Sequence, residues 1–179
     1  CNERISASFS IKEIKENSKG GTAGNICYNL ALLGKTAYPV VCVGKDFYEL
    51  GYGFHLESAG VNLSFVELSD KLTARVYIIT DDEDSQIANI YSDILKESVK
   101  INISDKIKSG MFWFGIIAPN PEEVMTNHAE QFSNLGIDYI ISPGQAVWNF
   151  KNKKGLSDII LNSSMCVMND SEFKKVEEL

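Results

Sequence analysis

Gly20-Gly21-Thr22-Ala23-Gly24-Asn25 is the stretch whose residue types and spacing most invite chemistry. Adjacent glycines let a backbone pass close to a ligand or adopt a positive φ that residues with a Cβ adopt less readily. From Ala23 to Leu33 the apolar spacing turns helical: Ala23, Cys27 and Leu30 share a face, Ile26 and Leu33 flank it, and Gly34 stands where a C′ glycine ends a helix. Thr22 is placed to cap that helix, so free N–H groups and the positive end of its dipole face the glycine turn. Such a turn suits a polyhydroxyl or anionic ligand, and Asn25 adds an amide that both donates and accepts. A tight strand-to-helix connection, with Asn25 bonding to local backbone, is the plainer reading of the same residues.

Other candidates are fewer. Asn169-Asp170-Ser171-Glu172 has capping-box spacing at the start of a final helix. His55 and His128 stand alone on separate expected helices, without base–nucleophile or metal spacing, and read as surface or packing residues. Cys1, Cys27, Cys42 and Cys166 are scattered, and the latter three fall in apolar runs, so they read as small hydrophobes in a reducing compartment. Gly34-Lys35-Thr36 resembles the end of a P-loop, but Asn29 replaces its first glycine and an apolar helix fills the interval. Gly20–Asn25 does not fit the G-x-G-x-x-G of a dinucleotide site either.

The elements that must position these groups follow from pattern. Ile5, Ala7, Phe9 and Ile11 alternate as a half-buried strand over residues 1–11, and Pro39 to Gly44 is a continuous apolar run that fits a strand buried on both faces. A helix is expected from Phe47 to Ala59, closed by Gly60. Strand-like runs at Val61–Leu68, Thr73–Thr80 and Gln86–Tyr91 follow with no helix between them, an antiparallel patch suited to a lid. Thr73-Ala74 and the Asp81–Asp84 turn read as structural or solvated. Alternation then resumes: strand Met111–Ile117, helix Pro121–Leu135, strand Ile137–Ser142, a turn at Pro143-Gly144, a short helix Leu156–Asn162, strand Met165–Asn169 and a helix from Asp170. This order predicts an α/β fold with a mainly parallel sheet flanked by helices.

The 179 residues are 44% apolar and 23% charged with a net charge of −7, a globular composition that argues against nucleic acid or an anionic membrane as partner. No apolar run approaches a membrane span and the first residues carry no leader pattern, so a cytoplasmic protein is expected.

Gly20-Gly21-Thr22-Ala23-Gly24-Asn25-Ile26, the apolar helix and Leu33-Gly34 together resemble the first signature of the PfkB, ribokinase-like family of carbohydrate and nucleoside kinases, closest to its bacterial and archaeal adenosine (nucleoside) kinase branch. The resemblance continues in family order. Val43-Gly44-Lys45-Asp46-Phe47 is similar to a Val-Gly-x-Asp-x-Phe segment with the Phe one place early. Thr80-Asp81 with Gln86-Ile87 resembles the lid pattern of that branch, and Ala118-Pro119-Asn120-Pro121 a loop before a family helix. Ser142-Pro143-Gly144-Gln145 resembles Asp-Pro-Gly-Gln, and Asn169-Asp170-Ser171-Glu172 matches Asn-x-x-Glu. Ser142 in place of Asp, and Ser92-Asp93 where the branch has Gly-Ala, leave the substrate open.

The resemblance implies a ribokinase-like α/β fold with a small antiparallel β lid: lid segments at about 1–11 and 61–91, core at 18–60 and 104–179. It implies ATP- and Mg²⁺-dependent phosphorylation of a sugar or ribonucleoside hydroxyl. Gly20, Gly21 and Asn25 would hold the sugar hydroxyls, Gln86 would reach the substrate from the lid, and Asn169 and Glu172 would organise Mg²⁺ and the phosphates. Glu172 is the expected metal ligand of this pair. The lid can also serve as a homodimer contact. The family's Gly-Ala-Gly-Asp, with its catalytic Asp, has no counterpart in these residues and is expected beyond Leu179. These residues alone are then expected to be inactive. The alternative is a non-catalytic nucleoside-binding or interaction module derived from the fold.

Overall fold

A computed structural model of the chain describes residues 18–83, 86–107 and 114–178, so the strand expected over 1–11 lies outside the described residues. The first helix, α1, runs Thr22–Leu32 and closes as its sequence indicates, with the Gly34 N–H donating to the Ala31 carbonyl at 2.9 Å. Its start is a correction. Gly21 is the N-cap, at φ 88° and ψ 139°, a conformation open in practice to glycine, and Thr22 becomes the first helical residue with no side-chain cap.

Strand β1, Val41–Gly44, buries Cys42, Val43 and Gly44, as its unbroken apolar run predicts. The next helix is shorter than the Phe47–Ala59 expected. Gly51 adopts a left-handed φ of 70°, which no residue inside a right-handed helix can hold, so α2 begins after it and spans Tyr52–Ser58. Turns fill the interval from Lys45 to Gly51.

Strand β2, Val66–Ser69, pairs parallel with β1, whereas β3, Arg75–Thr80, and β4, Gln86–Tyr91, form a separate antiparallel hairpin. Among the described residues, then, the antiparallel patch comprises two strands by pairing, and the stretch expected to supply a third joins the parallel layer. Farther on, β5 (Gly115–Ile117), β6 (Tyr139–Ile141) and β7 (Met165–Cys166) form a parallel sheet in that order. Helices α3 (Glu122–Asn134), α4 (Lys153–Leu161) and α5 (Asp170–Glu177) alternate with these strands. The described elements make the α/β arrangement expected, parallel strands alternating with helices beside a small antiparallel hairpin.

Among the described residues the core has two apolar clusters. One gathers Phe65, Ile117, Met125, Tyr139, Ile141 and Leu156 around the β5–β7 sheet. The other gathers Cys27, Val43, Phe47, Leu56 and Val61 between β1, α1 and α2. A 3-10 helix at Asp93–Lys100, which no sequence pattern announced, packs against both β1 and α3. Its Ser98 is completely buried: Oγ accepts from the Cys42 N–H at 2.9 Å, and the carbonyl accepts from His128 Nε2 at 3.1 Å. His128 is thus the packing residue expected, and it ties α3 through Ser98 to β1.

Burial holds the His128 pKa below its ordinary 6.5, and the bond to the Ser98 carbonyl offsets this only in part. The unfolded chain therefore takes up a proton first, so this contribution to stability is complete above 6.5 and is lost as pH falls toward the lowered value. Urea midpoints measured from about pH 7.5 down to about pH 5.5 should fall in the wild type, and fall less in His128→Gln, which retains an N–H donor without a titrating ring.

Candidate functional site

The glycine turn is open. A Cβ on Gly20 or Gly21 would meet nothing within 4 Å, so neither glycine is demanded by crowding inside the protein. Gly21 is explained by its φ; Gly20 is not among the glycines with positive φ, and its Cβ position opens onto free space. Helical bonding starts with Asn25 N–H to the Gly21 carbonyl at 3.0 Å, leaving the N–H groups of Thr22, Ala23 and Gly24 ahead of the first bond. Asn25 is exposed. Its side-chain amide makes no hydrogen bond among the described residues; only its carbonyl is engaged, by Asn29 Nδ2 at 2.7 Å. The local-backbone alternative for Asn25 is therefore not the arrangement found.

Tyr52 braces this turn from α2, and the sequence reading missed it. Its hydroxyl donates to the Gly20 carbonyl, and its ring lies so close to Gly24 that a Cβ there would overlap the hydroxyl. Burial, then the neighbouring Cys27, raises the Tyr52 pKa, so the hydroxyl stays a donor. The available signal was Gly24 itself, since a glycine inside a helix costs about 1 kcal/mol relative to Ala and marks a close approach. His55 stacks on Tyr28 at 4.7 Å between centroids, with 11° between planes, and completes the α1–α2 contact as a packing residue. Cys27 is buried and free, its thiol pushed up to about 11 by desolvation, and Cys42 and Cys166 are free as well.

A second cluster lies where β1 meets the hairpin. Asp46, 6% exposed, accepts from the Thr73 N–H at 2.8 Å and the Thr73 hydroxyl at 2.7 Å through Oδ1, and from Arg75 Nη2 at 2.5 Å through Oδ2. Thr73 Oγ1 in turn accepts from the Gly44 N–H at 3.0 Å. Burial disfavours the Asp46 charge, but the Thr73 and Arg75 donors outweigh it and hold the carboxyl below 3.8. Its stabilisation is therefore present above 3.8 and disappears as pH falls through the lowered value. Thr73, read from sequence as structural, is structural in this specific sense: it anchors the hairpin. Gln86 pairs across from Thr80 beside the turn, at the hairpin end remote from Asp46.

The third cluster is at the carboxyl ends of β5, β6 and β7, where three loops leave the parallel sheet together. Gly144 lies against Pro119, where a Cβ would come within 2.6 Å of the Pro119 ring, so the loops after β5 and β6 touch. Helix α5 packs against the 3-10 turn Gly144–Trp148 that follows β6. Asn169 and Glu172 form a complete capping box at the start of α5. Asn169 Oδ1 accepts from the Glu172 N–H at 2.9 Å, and Glu172 Oε2 accepts from the Asn169 N–H at 3.1 Å. Asn169 Nδ2 also donates to Glu172 Oε1 at 2.9 Å. Among the described residues no three His, Cys, Asp or Glu side chains gather to hold a metal. One carboxylate with one amide does not cage an ion, but it fits Mg²⁺ that keeps most of its waters.

The structure thus joins Gly20, Gly21 and Asn25 in one turn and Asn169 with Glu172 in another. No hydrogen bond or ion pair among the described residues connects the two groups. Nor is any described helix long and apolar enough to cross a membrane.

Residues 12–177 match the profile of the pfkB family carbohydrate kinases. A nucleoside kinase of Methanocaldococcus jannaschii is 26% identical over 161 residues, covering 89% of this chain and 51% of that protein. The structure of Burkholderia thailandensis nucleoside kinase in complex with inosine superposes with a TM-score of 0.84 at 26% identity, covering 97% of this chain and 55% of that one. The same enzyme in complex with ADP-inosine gives a TM-score of 0.82, with 97% and 53% covered. The chain spans about half the length of these relatives. It belongs to the pfkB family of carbohydrate kinases.

The Asp46 cluster makes a direct expectation. Asp46→Asn keeps the shape but removes the charge that receives Arg75 and Thr73, and should cost about 2 kcal/mol in denaturant unfolding. Amide exchange should accelerate more in residues 75–91 than in β5–β7.

Proposed function

We infer that this pfkB-family chain contributes the sugar-holding turn and the lid hairpin of an ATP-dependent kinase that phosphorylates a ribonucleoside or sugar hydroxyl, in the manner of an adenosine kinase. The observation that carries this reading is the open Gly20–Gly21 turn with the unengaged Asn25 amide beside it, braced by Tyr52.

Phosphoryl transfer to a hydroxyl requires an acceptor held in line, a base for its proton, compensation of phosphate charge and exclusion of water. Gly20 and Gly21 let the backbone approach the sugar. Asn25 donates to one hydroxyl of a vicinal diol and accepts from the other. The hairpin, hinged at Asp46, closes over the sugar and keeps water out, and Gln86 reaches the substrate from its tip. Asn169 and Glu172 would hold hydrated Mg²⁺ at the start of α5, where the helix N-terminus also favours phosphate. When bound, ATP supplies the phosphoryl group and Mg²⁺ offsets its charge. No catalytic base is assigned to these residues, since the sequence contains no Gly-x-Gly-Asp. The same reading makes the protein cytoplasmic and the hairpin a contact surface for a homodimer.

The test is phosphoryl transfer from ATP to a panel of nucleosides and sugars, using the native protein that contains this chain. Asn25→Ala should lower kcat/KM at least about tenfold, the loss of one or two substrate hydrogen bonds. Tyr52→Phe should raise KM by about threefold to tenfold with a smaller change in kcat, because it loosens the turn without touching substrate. Nucleoside binding without transfer would favour the non-catalytic module. Neither binding nor transfer would sink the reading altogether.

A further inference from the structure

We propose that Asn120 is a substrate-contacting specificity residue, whose side-chain carbonyl accepts a hydrogen bond from an O–H or N–H group of the nucleoside or sugar. The proposal rests on the kinase reading above and deepens it.

Asn120 Oδ1 is buried and has no hydrogen-bond partner among the described residues. Buried polar atoms in folded proteins are nearly always paired, so one left unpaired calls for a reason. The obvious structural role is absent. Asn120 precedes α3, but the N-cap of α3 is Pro121 with no side-chain cap, and the Val124 and Met125 N–H groups both reach the Pro121 carbonyl, at 2.9 and 3.1 Å. The amide is therefore not spent on starting the helix.

Its surroundings hold it still. Pro119 and Pro121 flank it, each with a fixed φ, and Pro121 also confines Asn120 itself to extended backbone. Pro119 is wedged against Gly144, which fastens the loop after β5 to the loop after β6. Both loops leave the carboxyl edge of parallel strands, the edge where open α/β sheets take their ligands. A rigid, desolvated acceptor with no partner in its own fold is how a site rejects analogues that lack the matching donor. A sugar hydroxyl and a base N–H share that donor chemistry.

The experiment compares wild type with Asn120→Ala on three substrates: the preferred ribonucleoside, its deoxy analogues, and an analogue lacking the base amino or imino donor. Thermal unfolding and calorimetric binding are followed beside kinetics. Wild type should disfavour one analogue by about tenfold or more, and Asn120→Ala should handle that analogue and the parent alike. Loss of discrimination against a deoxy analogue identifies a sugar hydroxyl as the donor; loss against the base analogue identifies the base. The variant should keep its Tm, since no internal bond is removed. Discrimination unchanged in Asn120→Ala overturns the proposal, whatever happens to Tm, and leaves an internal water as the partner. Running Asn25→Ala in parallel separates the two readings. If Asn25→Ala loses activity while Asn120→Ala retains its discrimination, the kinase stands and the Asn120 role falls. If wild type neither binds nor phosphorylates any nucleoside or sugar, both fall.

Discussion

One buried carboxylate holds the hairpin to the rest of the molecule. A two-stranded hairpin is marginal by itself in water, and here Val76, Ile78 and Ile90 on one face and Tyr77, Ile79 and Ile87 on the other are all exposed. Among the described residues, therefore, little apolar burial anchors β3 and β4. The anchor is polar: both Asp46 oxygens are engaged by Thr73 and Arg75, and Thr73 is engaged in turn by Gly44. A buried charge is tolerable only when paired and hydrogen-bonded to this degree. The same economy suits a lid, which must be fixed at its base and free over most of its surface.

Rigidity is concentrated elsewhere, behind the glycine turn and the parallel sheet. Tyr52 pins the Gly20 carbonyl, and the helix it comes from is packed into the cluster of Phe47, Leu56 and Val61. Ser98, fully buried, joins β1 to α3 through Cys42 and His128, so the two apolar clusters share a satisfied polar link. Under the proposed function, with a fixed turn and a lightly held hairpin, closure over a ligand would fall to the hairpin.

Asn169 and Glu172 have one role in the fold, the cap of α5, and a second only under the proposed function. The capping box satisfies the start of α5 and gives each Glu172 oxygen one donor, so each keeps further acceptor capacity. Stability accounts for the spacing completely, so the spacing by itself carries no functional information. What bears on a phosphate and Mg²⁺ is location: the cap sits at the carboxyl edge of a parallel sheet, beside the loops that carry Gly144 and Asn120.

Local signals were legible in the sequence because they are written in local physics. The apolar run of β1, the amphipathic α1 with its closing glycine, the Gln86–Tyr91 strand and the Asn169–Glu172 cap all depend on neighbours within a few residues, and each appears in the structure where its pattern puts it. The family signature is legible for the same reason, since it is a run of short motifs in order. The errors arose where a distant partner decided. β2 chose β1 over the hairpin, and the 3-10 helix at Asp93–Lys100 packs against both β1 and α3; Gly51, whose own left-handed φ shortens the expected helix, is the local exception. Tyr52 at Gly20, Asp46 at Thr73 and Arg75, and the unpaired oxygen of Asn120 are invisible to any window of sequence. They are pairings, or a missing pairing, between groups that only tertiary packing brings together and strips of water.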